Sequence, residues 1–123
     1  MNSVATILVI EDNELNRKLF RDLLGANGYA VLVAGDGEEG FRLAREHQPN
    51  LIVMDVQLPG ASGLDVTGWI KGDPATREIP VVAVTALAMR GDEQRVLAAG
   101  CDAYVSKPIS CGDFLETVAR FLR

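Results

Sequence analysis

Three carboxylates, one hydroxyl and one ammonium lie at the ends of short apolar runs in the sequence. Glu11 and Asp12 follow the first run, Asp55 the third, Thr85 the fourth and Lys107 the fifth. Singly, each has an ordinary explanation, because a carboxylate after a strand can cap the next helix and a lone lysine is usually solvated. If the runs are parallel strands of one open sheet, however, all five side chains project from its carboxyl edge, where ligands bind. The positions therefore predict one shared site.

The chemistry of that site follows from the residue types. Neighbouring carboxylates repel one another and raise each other's pKa, and a divalent cation relieves this conflict. Mg²⁺ accepts one or two carboxylates together with phosphate oxygens, and Mn²⁺ is the alternative ion. Lysine supplies a positive charge to a phosphoryl oxygen, and threonine supplies a hydroxyl. With a nucleophilic carboxylate at its centre, the site is equipped for phosphoryl transfer to Asp55.

The elements that position these residues follow from an alternation of apolar runs and helical segments. The runs are continuously apolar and rich in Val and Ile, which is typical of strands buried on both faces of a parallel sheet. They are Thr6–Ile10, Ala30–Ala34, Leu51–Met54, Val81–Val84 and Ala103–Val105. Each intervening segment is long enough for one helix. The sequence thus predicts an α/β chain of the (βα)₅ type, with helices on both faces of the sheet.

Helical spacing of apolar residues supports this assignment. The first helix carries one stripe, made of Leu15, Leu19, Leu23 and Leu24. It should stop at Asn27-Gly28, a typical helix end. In the last helix, Ser110 and Asp113 are spaced as in a capping box.

Composition and charge narrow the function further. The 123 residues suffice for one domain, which we expect to span 1–123 with no output domain. The net charge of -5 argues against a nucleic-acid surface, which needs clustered Lys and Arg. The N-terminus lacks the features of a signal peptide, and no apolar stretch approaches the ~20 residues that span a bilayer. Cys101 and Cys111 lack metal-ligand spacing, so we expect free thiols in a cytoplasmic protein.

Nearly the whole chain resembles the receiver domains of two-component response regulators. Five motifs carry the resemblance: Ile-Leu-Val-Ile-Glu-Asp-Asn at 7–13, Leu-Ile-Val-Met-Asp-Val-Gln-Leu-Pro at 51–59, Ser-Gly-Leu-Asp at 62–65, Ile-Pro-Val-Val-Ala-Val-Thr-Ala at 79–86 and Ala-Tyr-Val-Ser-Lys-Pro-Ile at 103–109. The resemblance implies a flavodoxin-like fold, a doubly wound parallel five-stranded sheet with strand order 2-1-3-4-5.

The resemblance also implies how the sheet edge works. Asp55 would accept a phosphoryl group from a phosphohistidine of a sensor histidine kinase. Glu11 and Asp12 would bind Mg²⁺ together with Asp55, and Gln57 would add its backbone carbonyl. Many relatives have Asp where this chain has Glu11, so the carboxylate is kept.

A switch is implied as well. Thr85 and Lys107 would bind the phosphoryl group, and Tyr104 would change rotamer as Thr85 moves. Pro108 would follow a cis peptide bond. The surface of the fourth helix, fifth strand and fifth helix would then bind a downstream protein. Residues expected near that surface are Leu87, Ala88, Met89, Tyr104 and Ile109.

Three alternatives bear on this interpretation. Some stretches resemble stand-alone family members that control cell division, whereas 84–93 also resembles receivers of hybrid histidine kinases. A Mg²⁺-dependent phosphohydrolase would need an acid at position 57, and Gln57 cannot act as one. A nucleotide-binding domain would need a Gly-rich turn where the chain has Glu11–Glu14. We therefore expect a phosphoacceptor that assists its own phosphorylation and dephosphorylation rather than a dedicated enzyme, binding neither nucleic acid nor membrane.

Overall fold

The chain folds into a central parallel sheet covered by helices on both faces. The computed structural model describes residues 4–85 and 92–122, so Leu87, Ala88 and Met89 of the predicted output surface lie outside the described residues. The strands are β1 (Thr6–Ile10), β2 (Ala30–Ala34), β3 (Leu51–Asp55), β4 (Val81–Thr85) and β5 (Ala103–Ser106). The helices are α1 (Glu14–Ala26), α2 (Gly37–His47), α3 (Gly63–Gly72), α4 (Asp92–Ala98) and α5 (Cys111–Leu122).

The strand order is β2-β1-β3-β4-β5, and all neighbouring strands are parallel. This confirms the predicted doubly wound fold and its strand order. The first two strands have the predicted bounds. The other three each extend one residue further and take in Asp55, Thr85 and Ser106. Two of the predicted site residues are therefore the last residues of strands rather than the first residues of loops.

The core consists of one apolar layer on each face of the sheet, because successive strand residues point to opposite faces. In β1, for example, Ile7 and Val9 join the layer that contains Phe114 of α5. Leu8 and Ile10 join the layer that contains Ile70 of α3. β3 is buried along its whole length, whereas the edge strand β2 is only partly buried. The central strands thus give Asp55 a rigid and largely dry support.

The buried face of α1 differs from the predicted leucine stripe. Leu15 and Leu19 are 64% and 58% exposed, whereas Phe20 and Leu24 are buried. The Phe20 ring packs against that of Phe114, with centroids 5.4 Å apart. Because this aromatic pair turns the Phe20 and Leu24 line toward the sheet, two leucines of the predicted stripe remain at the surface. None of the described helices is long and apolar enough to cross a membrane.

Candidate functional site

The sheet gathers the predicted carboxylates at its carboxyl edge. Glu11 and Asp12 follow β1 directly, and Asp55 ends the neighbouring strand β3. Their carboxylates each offer an oxygen within 4.8 Å of the others. Thr85 ends β4, the next strand along the sheet. The strand order alone therefore explains why residues more than forty positions apart in sequence share one site.

The site is buried on the side of Glu11, Asp55 and Thr85 and exposed to solvent on the side of Asp12. Glu11, Asp55 and Thr85 are only 1%, 6% and 1% exposed, whereas Asp12 is exposed. Buried carboxylates are rare unless they are paired with a cation or hydrogen-bonded. The arrangement therefore requires positive partners in or near the cluster.

Lys107 is one such partner. Its Nζ lies 3.2 Å from Asp55 Oδ2 and 3.4 Å from Glu11 Oε1. Its backbone N–H donates to the Thr85 carbonyl at 2.7 Å, and the Lys107–Pro108 peptide bond is cis, as predicted. Burial alone would lower the lysine pKa, but the charges of Asp55 and Glu11 outweigh it and raise that pKa. Lys107 is therefore a permanent cation between two carboxylates.

The Glu11 carboxyl group has a raised pKa. Burial is the main cause of a pKa raised to about 7. A hydrogen bond between the Glu11 and Asp55 carboxyl groups, which forms only when Glu11 is protonated, and repulsion between the two charged groups add to it. A hydrogen bond from Asn16 and the charge of Lys107 act in the opposite direction. Glu11 Oε2 is buried and has no hydrogen-bond partner among the described residues. A bound cation would satisfy such an oxygen, as would a proton shared with Asp55.

Asp55 is held on both of its oxygens. Oδ1 accepts a hydrogen bond from the Gln57 backbone N–H at 2.9 Å, and Oδ2 faces Lys107. The Gly63 N–H donates to the Val56 carbonyl at 2.9 Å, which joins the first turn of α3 to the end of β3. The Gln57 side chain is exposed, and the predicted role of its carbonyl as a metal ligand stays a prediction.

Thr85 and Tyr104 occupy the same face of the sheet. Tyr104 pairs with Ala83 in the register of β4 and β5, and Thr85 is two residues beyond Ala83, so both point to one side. Tyr104 is partly buried and packs against the core layer on that side. The two residues are thus arranged as neighbours on adjacent strands.

The donor set fits Mg²⁺. Glu11, Asp12 and Asp55 offer only oxygen ligands, which this ion prefers, and one of those oxygens is buried without a partner. The exposed position of Asp12 leaves a path for the ion and its waters. These three carboxylates are the residues that could hold the ion.

Sequence reasoning missed two residues that support this site. Asn16 Nδ2 donates to Glu11 Oε1 at 2.7 Å. Arg17 Nη1 donates to the backbone carbonyls of Glu11 and Asp12, both at 2.9 Å. Their position in the sequence could have identified them. Both residues lie in the first turns of α1, which follows Glu11 and Asp12 directly, and side chains there can reach back to the end of β1.

Known proteins are similar to this chain over most of its length. Residues 7–119 match the response regulator receiver domain family. The chain is 56% identical over 117 residues to the polar-differentiation response regulator DivK of Brucella anthropi, with 95% of each chain covered. The receiver domain of a sensor histidine kinase from Pseudomonas aeruginosa, described with a magnesium ion in its active-site cleft, is 31% identical. Its TM-score is 0.89, and 97% of this chain and 98% of that one are covered. The chemotaxis response regulator CheY4 of Vibrio cholerae shares the fold, with a TM-score of 0.90, 24% identity and coverage of 97% and 99%.

Proposed function

The chain belongs to the response regulator receiver domain family, and we propose that it acts as a stand-alone response regulator phosphorylated on Asp55 by a histidine kinase. The observation that carries this proposal is the cluster of Glu11, Asp12 and Asp55 with Lys107 between two of its carboxylates. A structural ion pair would need one acid for one base. Here three acids share one edge, which suits a site that must also hold a cation and a phosphoryl group.

In the proposed reaction, an Asp55 carboxylate oxygen attacks the phosphorus of a phosphohistidine. The new P–O bond forms as the P–N bond breaks, and the imidazole leaves with the electron pair. Lys107 keeps its proton throughout and offsets charge on the phosphoryl oxygens. The Gln57 N–H fixes Asp55 Oδ1, so the carboxylate is already oriented before the donor arrives. Mg²⁺ bound by Glu11, Asp12 and Asp55 would neutralise charge on the transferred group.

The output of the proposed signal is a change at the surface of α4, β5 and α5. Thr85 is the hydroxyl donor on the strand next to Asp55, and Tyr104 lies on the same sheet face. Movement of Thr85 toward a phosphoryl group would free space for the Tyr104 ring. The phosphoryl group biases this two-state change only through its different contacts with the two states. A downstream protein would bind the altered surface.

The phosphodonor must reach Asp55 from the exposed side of the sheet edge. Beside Lys107 lies a mainly apolar groove between α1 and the loop before α5, lined by Leu19, Leu23, Pro108 and Ile109 among others. Exposed apolar surface of this kind is typical of protein contacts. We therefore assign this side of the molecule to the kinase or phosphatase.

The proposed cellular role is cytoplasmic signalling in cell-cycle or cell-division control. Its support is the 56% identity to a polar-differentiation regulator, with 95% of each chain covered. The likeness to a receiver of a sensor histidine kinase favours a second candidate, a receiver that is part of a hybrid kinase. An antibody against this domain separates the two. A cellular polypeptide much longer than 123 residues would favour the kinase.

The test of the phosphoacceptor is labelling with acetyl phosphate and Mg²⁺, followed by intact-mass spectrometry. The wild type should gain one phosphoryl group, and Asp55→Asn should gain none. Asp36→Asn is the matched control, since Asp36 is exposed, follows β2 at the same edge and caps α2, and Asn caps equally well. Undiminished labelling of Asp55→Asn would remove Asp55 from its proposed role.

A further inference from the structure

The two oxygens of the Glu11 carboxylate have unequal surroundings. Oε1 accepts from Asn16 Nδ2 at 2.7 Å and lies 3.4 Å from Lys107 Nζ. Oε2 is buried and has no hydrogen-bond partner among the residues that the structure describes. Both donors therefore converge on one oxygen, and none of the described residues donates a hydrogen bond to the other.

This asymmetry is not what a merely satisfied buried acid would show. Distributing the two donors over the two oxygens would leave neither buried oxygen unpaired, and buried polar atoms are almost always paired. The observed arrangement leaves one oxygen for a ligand other than a protein donor. The two other carboxylates of the cluster lie within 4.8 Å, and a ligand that three carboxylates share must carry positive charge.

Asn16 is well placed to impose the asymmetry. It lies in the first turn of α1, where its own N–H donates to the Asn13 side chain at 2.9 Å. Arg17 holds the carbonyls of Glu11 and Asp12 from the next position. The Asn16 amide is thus attached to a fixed helix start. Because an amide carries no charge, it orients Glu11 without competing with a cation for the carboxylate.

We propose that Asn16 is a positioning residue for the metal site: its amide holds Glu11 Oε1 and so turns Oε2 toward the bound cation. The inference rests on the proposed function, because it needs Mg²⁺ or Mn²⁺ to bind at Glu11, Asp12 and Asp55. In this proposal Asn16 is not a ligand of the ion but acts through its hydrogen bond to Glu11. Residues that orient metal ligands in this way typically change metal affinity by about 10–100-fold when removed.

Mn²⁺ affinity tests this role without any phosphorylation reaction. Free Mn²⁺ is measured by electron paramagnetic resonance during titration of the protein, at a temperature where circular dichroism shows every variant folded. Asn16→Ala should weaken Mn²⁺ binding about tenfold, and Asn16→Leu, which fills the space without a donor, should behave alike. Asn27→Ala is the matched control, since Asn27 donates to the Leu23 carbonyl at the other end of α1. It should leave the affinity unchanged.

A double-mutant cycle with Glu11→Asp shows whether Asn16 acts through Glu11. The shorter side chain keeps a metal-binding carboxylate but withdraws it from the Asn16 amide. Asn16→Ala should therefore have little effect on Mn²⁺ affinity in the Glu11→Asp background. An equal loss in both backgrounds, or wild-type affinity in Asn16→Ala and Asn16→Leu, would overturn the inference and leave the proposed function standing. Failure of the wild type to bind Mn²⁺ would overturn both.

Discussion

Burial and charge conflict at Glu11. Its pKa is raised from 4.5 to about 7, chiefly by burial. Between these values the native state binds more protons than the unfolded state, so stability falls as pH rises. The contribution of the Glu11 carboxyl group to the free energy of unfolding is fully present below about pH 4.5 and is lost as pH rises through about 7.

In metal-free buffer, Glu11→Gln should remove this pH dependence, because glutamine is neutral like the protonated acid. The stability advantage of the variant over the wild type should therefore grow from about pH 5 to about pH 8. Urea denaturation with a chelator present measures it. Glu116→Gln, at an exposed site on α5, is the control and should show no such trend. A constant difference between Glu11→Gln and the wild type would contradict the assigned titration.

Lys107 offsets two carboxylates at once, so its loss should make the site depend more on a cation. Removing one partner of a buried ion pair leaves uncompensated charge, although Lys107 is 24% exposed and solvent moderates the loss. We expect Lys107→Met to destabilise the metal-free protein by about 1–2 kcal/mol. The rise in melting temperature on adding Mg²⁺ should be larger than in the wild type.

Lys71→Met is the matched control for that comparison. Lys71 also bridges elements, with Nζ 3.0 Å from Asp102 and 2.9 Å from the Ile79 carbonyl. Its loss should destabilise the protein too, but the Mg²⁺-dependent shift should stay that of the wild type. If both variants respond to Mg²⁺ alike, Lys107 does not belong to the cation site.

At the scale of elements, the first turn of α3 packs closely against the backbone of Asp55 and Val56. A Cβ on Gly63 would lie 2.7 Å from Val56 Cα and 3.0 Å from the Asp55 carbonyl carbon. These are backbone atoms, which cannot rotate away. Gly63→Ala should therefore push α3 off the end of β3 and cost about 1–3 kcal/mol in the free energy of unfolding, measured by urea denaturation.

Gly68→Ala, on the same helix, gives the opposite expectation. Gly68 is exposed, and a Cβ there meets nothing within 4 Å. Alanine should stabilise the helix by up to about 1 kcal/mol. If Gly63→Ala is tolerated as well as Gly68→Ala, close packing of α3 does not position Asp55.

The strands were predictable because they are continuously apolar, and their order followed from the family resemblance. The buried faces of the helices and their capping residues were less predictable from the sequence. The leucine stripe of α1 obeys helical spacing, but the packing of Phe20 on Phe114 decides which line is buried. A reciprocal capping box lies at Ser62 and Asp65, the start of α3, where none was predicted, and the capping box at the start of α5 stays a prediction. Tertiary packing, which local spacing does not encode, selects among such options.

The same limit applies to the site. Residues at strand ends were predicted because a parallel sheet gathers them at one edge. Asn16 and Arg17 were missed because they reach the site from a helix, and their contacts depend on how the β1–α1 loop turns. That turn is set by an Asn13 cap and two carbonyl contacts of Arg17. Sequence patterns thus identify the site residues at strand ends more readily than the helix residues that hold them in place.

For the whole molecule, acidic charge is in excess and part of it is buried. The chain has 17 acidic and 12 basic residues. Salt therefore stabilises it to some extent by screening repulsion at the surface. Specific cation binding at Glu11, Asp12 and Asp55 acts differently, because partly buried charges are screened much less and bind an ion only in the native state. The two effects separate when ionic strength is held constant.

Mg²⁺ should raise the melting temperature at matched ionic strength. At ten times its dissociation constant it would add about 1.4 kcal/mol to the free energy of unfolding, a shift of about 5 °C for a domain of this size. Differential scanning fluorimetry with Mg²⁺ exchanged for K⁺ measures it. Asp12→Asn and Asp55→Asn should lose most of the shift because each removes a ligand charge, whereas Asp36→Asn should keep it. If the melting temperature of both Asp12→Asn and Asp55→Asn still rises with Mg²⁺ as in the wild type, the ion binds elsewhere. If the melting temperature of the wild type does not rise, the cluster of Glu11, Asp12 and Asp55 binds no Mg²⁺.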